Sequence, residues 1–88
     1  MFYVYILKSL ARPDQIYIGA TTDLKARLAK HNARGSRHTS KYAPWTLECY
    51  FAFPLKETAF AFEAYLKSHS GRAFARKRLL TNAASSQT

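Results

Sequence analysis

The chain has 88 residues, enough for a single domain with a modest core, and its 13 aromatic residues (six Phe, six Tyr and one Trp) can supply much of the buried area. Fourteen Lys and Arg against five Asp and Glu give a formal net charge of +9 at pH 7, which indicates a nucleic acid partner, the alternative being a charge that serves only solubility. Cys49 is the single cysteine, which excludes an intrachain disulfide framework and indicates a reducing, cytoplasmic environment, and no segment is long enough to span a membrane.

Two short strands begin the predicted fold. Residues 2–7 are aromatic, β-branched and apolar, which is typical of a buried strand. A proline and an aspartate mark a loop over residues 9–14, and residues 15–20 form the second strand of a hairpin. Tyr5 and Tyr17 then lie on facing strands, but whether they share a face of the sheet depends on register, because a slip of one residue reverses it.

A first helix is predicted over residues 24–32, with Thr21, Thr22 and Asp23 as candidate N-caps. It leads into a polar, basic connection over residues 33–44 that contains a glycine and two serines. The short hydroxyl and carboxylate side chains before the helix therefore fix where it begins.

Two polar residues of this helix lie on the arc that should face the core. At about 100° per residue, His31 lies about 20° from Leu24 and Arg27 lies about 60° from it on the same side. An arginine that faces inwards is costly unless it is paired or lines a wet cleft. Arg27 is therefore a candidate functional residue, the alternative being a guanidinium that extends outwards past Leu24.

The second half of the chain adds, in order, a third strand over residues 45–53, a second helix over 56–68, a break at Ser70 and Gly71, a short basic third helix over 72–80 and a frayed tail over 81–88. The order β-β-α-β-α-α predicts an α+β fold in which helices pack on a small three-stranded sheet. We place one domain at residues 1–80, followed by a flexible tail.

Glu63 is the only acidic residue in the middle of a predicted helix. It flanks an apolar arc made of Leu55, Ala59, Phe62, Tyr65 and Leu66. Two interpretations follow: Glu63 carries chemistry at the edge of this arc, or it is a solvated glutamate paired with Lys67 at the favourable i, i+4 spacing.

The order and spacing of these residues resemble the GIY-YIG nuclease superfamily, in particular its small stand-alone members related to the nuclease domain of the excision-repair endonuclease. Tyr3-Val4-Tyr5 stands at the first motif, with Tyr3 in place of the glycine, and Tyr17-Ile18-Gly19 is an unaltered second motif. The pattern continues through Thr21-Thr22-Asp23-Leu24, Arg27-Leu28, His31-Asn32, Thr39, Pro44-Trp45, Glu63, Leu66-Lys67-Ser68 and Gly71-Arg72. Phe62 departs from it, since an arginine is frequent at this position in the small members.

The resemblance implies an antiparallel sheet flanked by helices and metal-dependent cleavage of DNA phosphodiesters. By position, the catalytic set is Tyr5, Tyr17, Arg27, His31 and Glu63. Glu63 would anchor a single divalent ion, Mg²⁺ or Mn²⁺, because such ions take one or two carboxylates together with waters and phosphate oxygens. Arg27 would hold the phosphate through its planar fork of donors. The general base stays open between Tyr5, Tyr17 and His31.

Basic side chains outside this set are predicted to bind phosphates and so to give affinity without sequence specificity. They are Lys25, Lys30, Arg34, Arg37, Lys41, Lys67, Arg72, Arg76, Lys77 and Arg78. The chain is thus predicted to be a DNA endonuclease, structure-selective or weakly sequence-specific, acting in repair or recombination, with a partner protein that could deliver it to its site. One alternative is a nucleic-acid-binding module that keeps the fold without cutting. Another is a small subunit of a protein assembly, held through Phe51, Phe53 or Phe60.

Overall fold

The computed structural model describes residues 1–33 and 39–80. Its elements, in chain order, are strand β1 (Phe2–Ser9), strand β2 (Ile16–Thr21), helix α1 (Leu24–Asn32), a 3₁₀ turn (Ser40–Tyr42), strand β3 (Trp45–Phe53), helix α2 (Lys56–Lys67), helix α3 (His69–Phe74) and a π-helical turn (Ala75–Leu79). The predicted α+β order is confirmed. Arg34, Arg37 and the predicted tail 81–88 lie outside the described residues. Within the described ranges, no helix has the length and apolar character that crossing a membrane would require.

The sheet is antiparallel with the strand order β2-β1-β3, so β1 is the central strand. Tyr5 of β1 lies opposite Gly19 of β2 on one side and Tyr50 of β3 on the other. On β3 the register shifts after Cys49, so that Glu48 has no partner of its own on β1. This bulge keeps the apolar side chains on either side of it directed towards their proper faces.

Helices cover both faces of the sheet, and each face has its own apolar cluster. One cluster joins the strands to α2 and the π-helical turn through Val4, Ile6, Ile18, Ala59, Leu66 and Ala75. The other is built from Tyr5, Leu7, Ala43 and Trp45, with Leu24 and Leu28 of α1 packed against it. The alternation of β1 residues between the two clusters is what places Tyr5 on the α1 side.

Helix α1 begins and ends where the sequence predicts. The Asp23 carboxylate accepts a hydrogen bond from the Ala26 backbone N–H at 3.0 Å and is therefore the N-cap. His31 is only 2% exposed and Arg27 is half-buried. Both residues thus lie on the inward arc that helical periodicity assigned to them.

The predicted break at Ser70 and Gly71 is wrong, because both residues lie inside α3. The interruption is at Ser68, whose backbone is extended (φ −76°, ψ 167°) and whose hydroxyl accepts a hydrogen bond from the Gly71 N–H at 3.1 Å. Gly71 is buried, and a Cβ at this position would overlap the Tyr65 carbonyl. The glycine therefore permits close packing of α3 on α2 rather than ending a helix.

Two of the residues assigned to the apolar arc of α2 are exposed: Leu55 at 60% and Tyr65 at 42%. Leu55 precedes the helix in an extended conformation, so its side chain does not follow the helical arc. The ring of Phe62 packs against Phe51 and Phe53, with centroids 4.8 and 5.5 Å apart. Phe51 and Phe53, considered above as subunit contacts, thus pack within the chain.

Candidate active site

Tyr5, His31 and Thr39 form a buried chain of polar side chains. The Tyr5 hydroxyl lies 3.1 Å from His31 Nε2, and His31 Nδ1 lies 2.8 Å from the Thr39 hydroxyl. All three residues are at most 2% exposed. Because both ring nitrogens of His31 have a partner, the imidazole is held in one orientation between a phenol and an alcohol.

A second set of hydrogen bonds fixes the far end of this chain. The Trp45 indole N–H donates to the Thr39 carbonyl at 2.9 Å. The Asn32 side chain binds the Trp45 backbone on both sides, accepting from its N–H and donating to its carbonyl at 3.1 Å. The start of β3 is thereby tied to the end of α1, which keeps Thr39 against His31.

Thr39, Asn32 and Trp45 are therefore positioning residues that the predicted site did not include. All three stand in the motif pattern, but they carry no charge and lie in or beside a connection without periodicity. The one available signal was their polar or amphipathic character directly after a helix with an inward-facing histidine.

The environment keeps both Tyr5 and His31 neutral. Burial, reinforced by the nearby Tyr17, raises the pKa of Tyr5 to about 12, although the Arg27 guanidinium opposes that rise through its charge and hydrogen bonding. Burial also lowers the pKa of His31, and the positive charges of Arg27 and Lys30 lower it further. A neutral His31 can accept the Tyr5 proton at Nε2 when its own proton is on Nδ1, facing Thr39.

Tyr17 lies on the same face of the sheet as Tyr5, which settles the register question. It stands two residues before Gly19, the cross-strand partner of Tyr5. Its ring is centred 6.2 Å from the Tyr5 ring and 4.9 Å from that of His31. The two tyrosines and the histidine therefore form one cluster beneath α1.

Gly19 is what allows the Tyr5 phenol to cross β2. A Cβ at Gly19 would lie 2.5 Å from the Tyr5 hydroxyl oxygen and 3.0 Å from the Tyr17 ring. The approach to the Tyr5 hydroxyl is too short for a side chain unless Tyr5 moves, and the approach to the Tyr17 ring is tight, so close packing favours the glycine of the Tyr17-Ile18-Gly19 motif.

Arg27 and Glu63 approach this cluster from different elements. Arg27 is a residue of α1, whereas Glu63 belongs to α2, which packs on the opposite face of the sheet. The Glu63 carboxylate is near enough to contribute to the raised pKa of Tyr5. It also forms the predicted i, i+4 ion pair, with Lys67 Nζ 3.0 Å from Oε2. The pairing and the proximity to Tyr5 thus occur together.

A small cavity lies beside β2, at the edge of the sheet. Its volume is about 200 Å³, and its lining combines Tyr17 with Ile16, Ile18, Lys67 and Arg72. Because β2 pairs only with β1 in the sheet, its outer side is where side chains from the two faces can meet. Two cationic side chains, Lys67 and Arg72, thus line this cavity beside Tyr17.

The carboxylates offer limited means of holding a metal ion. Among residues 1–33 and 39–80, no three His, Cys, Asp or Glu side chains group closely enough to form a ligand set. Asp23 caps α1 and Glu57 lies in the first turn of α2, whereas the charge of Glu63 acts on Tyr5. One carboxylate fits a hard divalent ion that takes its remaining ligands from water and substrate phosphate.

The predicted phosphate-binding residues that fall in the described ranges are all exposed: Lys25, Lys30, Lys41, Lys67, Arg72, Arg76, Lys77 and Arg78. Arg72 lies between two cavities, the one beside Tyr17 and a larger one of about 370 Å³ that Lys8 and Arg76 also line. The lining of the larger cavity includes the acidic residues Asp14 and Glu48. Despite these two acidic residues, positive charge extends from Arg72, at the edge of the candidate site, to Arg76 in the π-helical turn.

Nearly the whole chain is similar to known proteins. The family model described as the GIY-YIG catalytic domain matches residues 1–78. A structure-specific endonuclease subunit SLX1 from Malassezia globosa is 39% identical over 77 residues, which cover 82% of this chain but only 17% of the SLX1 chain. A UPF0213 protein from Streptococcus pyogenes serotype M3 is 41% identical over 71 residues, covering 80% of this chain and 75% of that protein.

The similarity to solved structures extends to both sequence and fold. The solution NMR structure of a UPF0213 protein from Bacillus halodurans has a TM-score of 0.52 and 33% sequence identity, and the match covers 88% of this chain and 84% of that one.

Proposed function

Because the chain belongs to the GIY-YIG catalytic domain family, we propose that it is a metal-dependent endonuclease that hydrolyses DNA phosphodiester bonds. The observation that carries this proposal is the buried Tyr5–His31–Thr39 chain with Arg27 beside it. A group whose pKa is shifted by burial together with a nearby charge, as that of His31 is shifted by burial and Arg27, is a candidate functional residue. The family relationship supports a nuclease, and the name of the SLX1 relative supports selectivity for DNA structure.

In this mechanism Arg27 holds the phosphate. Its guanidinium presents donors in a planar fork that matches two phosphate oxygens, and it stabilises the negative charge that grows on them during attack. When a divalent ion is bound at Glu63, it supplies polarisation of the phosphate and stabilisation of the leaving oxygen. Lys67 and Arg72, which line the cavity beside Tyr17, bind the neighbouring phosphates.

Tyr5 and His31 together take the proton of the attacking water. With a pKa of about 12, Tyr5 is almost never ionised at neutral pH and is a poor base alone. If its hydroxyl passes its proton to His31 Nε2 as its oxygen accepts one from water, no free phenolate is needed. Tyr17 packs on the His31 ring and keeps the relay in place. Of the three possible bases, we therefore assign the role to the Tyr5–His31 pair.

The test is cleavage of branched, nicked and single-stranded DNA by the purified chain with Mg²⁺ or Mn²⁺. We expect Arg27→Ala and Glu63→Ala each to lower the cleavage rate by about 100-fold or more, the loss typical of removing a group that stabilises developing charge. Glu57→Ala is the matched control, because Glu57 lies in the first turn of the same helix as Glu63. Cleavage that survives both active-site substitutions contradicts the proposed site.

A second function is favoured by the exposed basic residues. A protein with a formal net charge of +9 can bind DNA whether or not it cuts. Tight, salt-sensitive DNA binding with no cleavage under either metal would therefore identify a binding module that keeps the nuclease fold. Branched and nicked DNA arises in repair and recombination, which are the processes that we propose for the active enzyme, with a partner protein supplying delivery.

A further inference from the structure

Tyr3 and Tyr50 form an aromatic pair on the sheet face that carries Tyr5. Their rings are edge-to-face, with centroids 5.9 Å apart. Tyr50 is directly opposite Tyr5 across β1 and β3, and Tyr3 is two residues before Tyr5 on β1. All three side chains therefore project from the same side of the sheet.

This pair is not explained by the core. Neither Tyr3 nor Tyr50 belongs to the two apolar clusters of the described residues, and Tyr50 is 52% exposed. The cross-strand neighbours of Tyr3 are Thr21 on β2 and Ala52 on β3, both of them small. Aromatic surface therefore remains open to solvent directly beside a buried candidate catalytic tyrosine.

We propose that Tyr50, supported by Tyr3, stacks an unpaired nucleobase of the DNA strand whose phosphate Arg27 holds. This inference rests on the proposed nuclease function and adds the part of the substrate that is recognised. The Tyr5 phenol extends over Gly19 of β2, where Arg27 meets it, whereas Tyr50 lies on β3 at the other side of β1. The two places are about two strand spacings apart, roughly 10 Å, so a base on Tyr50 belongs to a nucleotide beyond the one whose phosphate Arg27 holds. The charge of +9 favours a nucleic acid over a protein as the occupant of this aromatic surface.

The stacking site gives a physical reason for selectivity. Bases in an intact duplex are already stacked on their neighbours and cannot lie on a protein ring unless they are first unpaired. Bases at a branch, flap or single-stranded stretch are free to stack on aromatic side chains. Tyr50 therefore favours DNA that offers an unpaired base near the position of cleavage.

The experiment measures binding of the whole chain to a short single-stranded oligonucleotide and to a duplex of the same sequence, with metal chelated. Truncating a stacking aromatic weakens binding by about five-fold or more per base. We expect this loss for Tyr50→Ala on single-stranded DNA alone, whereas Tyr50→Phe retains affinity. Phe60→Ala is the matched control, since Phe60 is 49% exposed but lies on α2, away from this face; it should leave both affinities unchanged.

A second readout reports stacking directly, beginning with the wild-type chain. A 2-aminopurine placed along the single strand should lose fluorescence at one position on binding the wild-type chain and recover it with Tyr50→Leu, which keeps an apolar side chain without a π system. Equal losses on both DNAs with Tyr50→Ala, or no quenched position, would overturn the stacking site even if cleavage is observed. Failure of the wild-type chain to bind or cut any DNA would instead overturn the nuclease proposal together with it.

Discussion

The contact between Gly19 and the Tyr5 phenol leaves no room for a methyl group. We predict that Gly19→Ala lowers the free energy of unfolding by about 1–3 kcal/mol, the usual cost of overpacking a core, and that it abolishes cleavage because Tyr5 moves away from His31. Urea denaturation and a cleavage assay measure the two effects.

Tyr5→Phe provides the control background for this prediction. The Cβ of the alanine would lie 2.5 Å from the Tyr5 hydroxyl oxygen but also 2.7 Å from the ring carbon that carries it. Removing the hydroxyl should therefore reduce the cost of Gly19→Ala without cancelling it. Equal costs in the two backgrounds would show that the sites are not coupled, contrary to the geometry.

His31 should make the stability of the fold depend on pH. Its pKa is lowered in the folded state from the ordinary value of 6.5, so below that value the unfolded chain binds a proton that the folded chain resists. The contribution of neutral His31 to the free energy of unfolding should therefore be complete above pH 6.5. It should be lost as the pH decreases through the lowered pKa.

Denaturant titrations at a series of pH values, on the wild-type chain and on His31→Gln, measure this contribution. The variant should show a smaller decrease in stability over the acid range, since glutamine does not titrate there. The same pH slope in both proteins would mean that other groups dominate the acid limb. On the proposed mechanism, cleavage should also decline in this range, because a protonated His31 cannot accept the Tyr5 proton.

At the scale of single residues, helical periodicity predicted that Arg27 and His31 face inwards. It did not predict Thr39 as the second hydrogen-bond partner of the imidazole. Periodicity places residues of one helix relative to each other, and Arg27 and His31 share that helix. Thr39 follows it in a connection where no period applies, and its place is set by one hydrogen bond with Trp45 and one with His31. Such contacts depend on the path of the whole loop, which local sequence does not encode.

The N-cap of α1 affects the candidate site, because this helix carries both Arg27 and His31. The Asp23 carboxylate accepts a hydrogen bond from one of the otherwise unsatisfied N–H groups of the first turn. We predict that Asp23→Ala lowers the free energy of unfolding by about 1 kcal/mol, whereas Asp23→Asn, which keeps the accepting oxygen, has a much smaller effect. Thermal or urea unfolding checks both. A loss for asparagine as large as for alanine would indicate that the charge near the helix N-terminus matters instead.

The ends of the helices and strands could be predicted where one local sequence signal is clear, but not where two signals conflict. The bounds of α1 and β3 agree with the sequence prediction because caps and a following proline mark them clearly. At the junction of α2 and α3, both Ser68 and Gly71 are plausible interruptions. Glycine is the usual helix breaker, but here it is used for close packing against α2, and the serine is the residue that turns the chain. Only the tertiary contact distinguishes the two roles.

Across the whole molecule, the candidate site depends on β2 being at the side of the sheet. Arg27 and His31 come from the helix on one face, and Glu63 and Lys67 from the helix on the other. A strand added beside β2 would separate these groups. The family resemblance named the residues of this set, but neither helical periodicity nor composition indicates that groups from opposite faces meet at one edge.

The contribution of the positive charge to DNA binding can be tested one side chain at a time. Arg72 lines both cavities, and its Nε donates to the Lys67 carbonyl at 3.1 Å, which orients the guanidinium. Each phosphate contact releases counterions, so Arg72→Gln should reduce the slope of log binding constant against log salt by about one.

Lys56→Gln is the control: it removes the same charge at the start of α2, where the ammonium lies over the Phe60 ring at 5.4 Å. An unchanged slope for Lys56→Gln beside a reduced slope for Arg72→Gln would locate the DNA path along Arg72. Equal reductions would mean that the whole surface binds by diffuse charge, with no defined path from the candidate site.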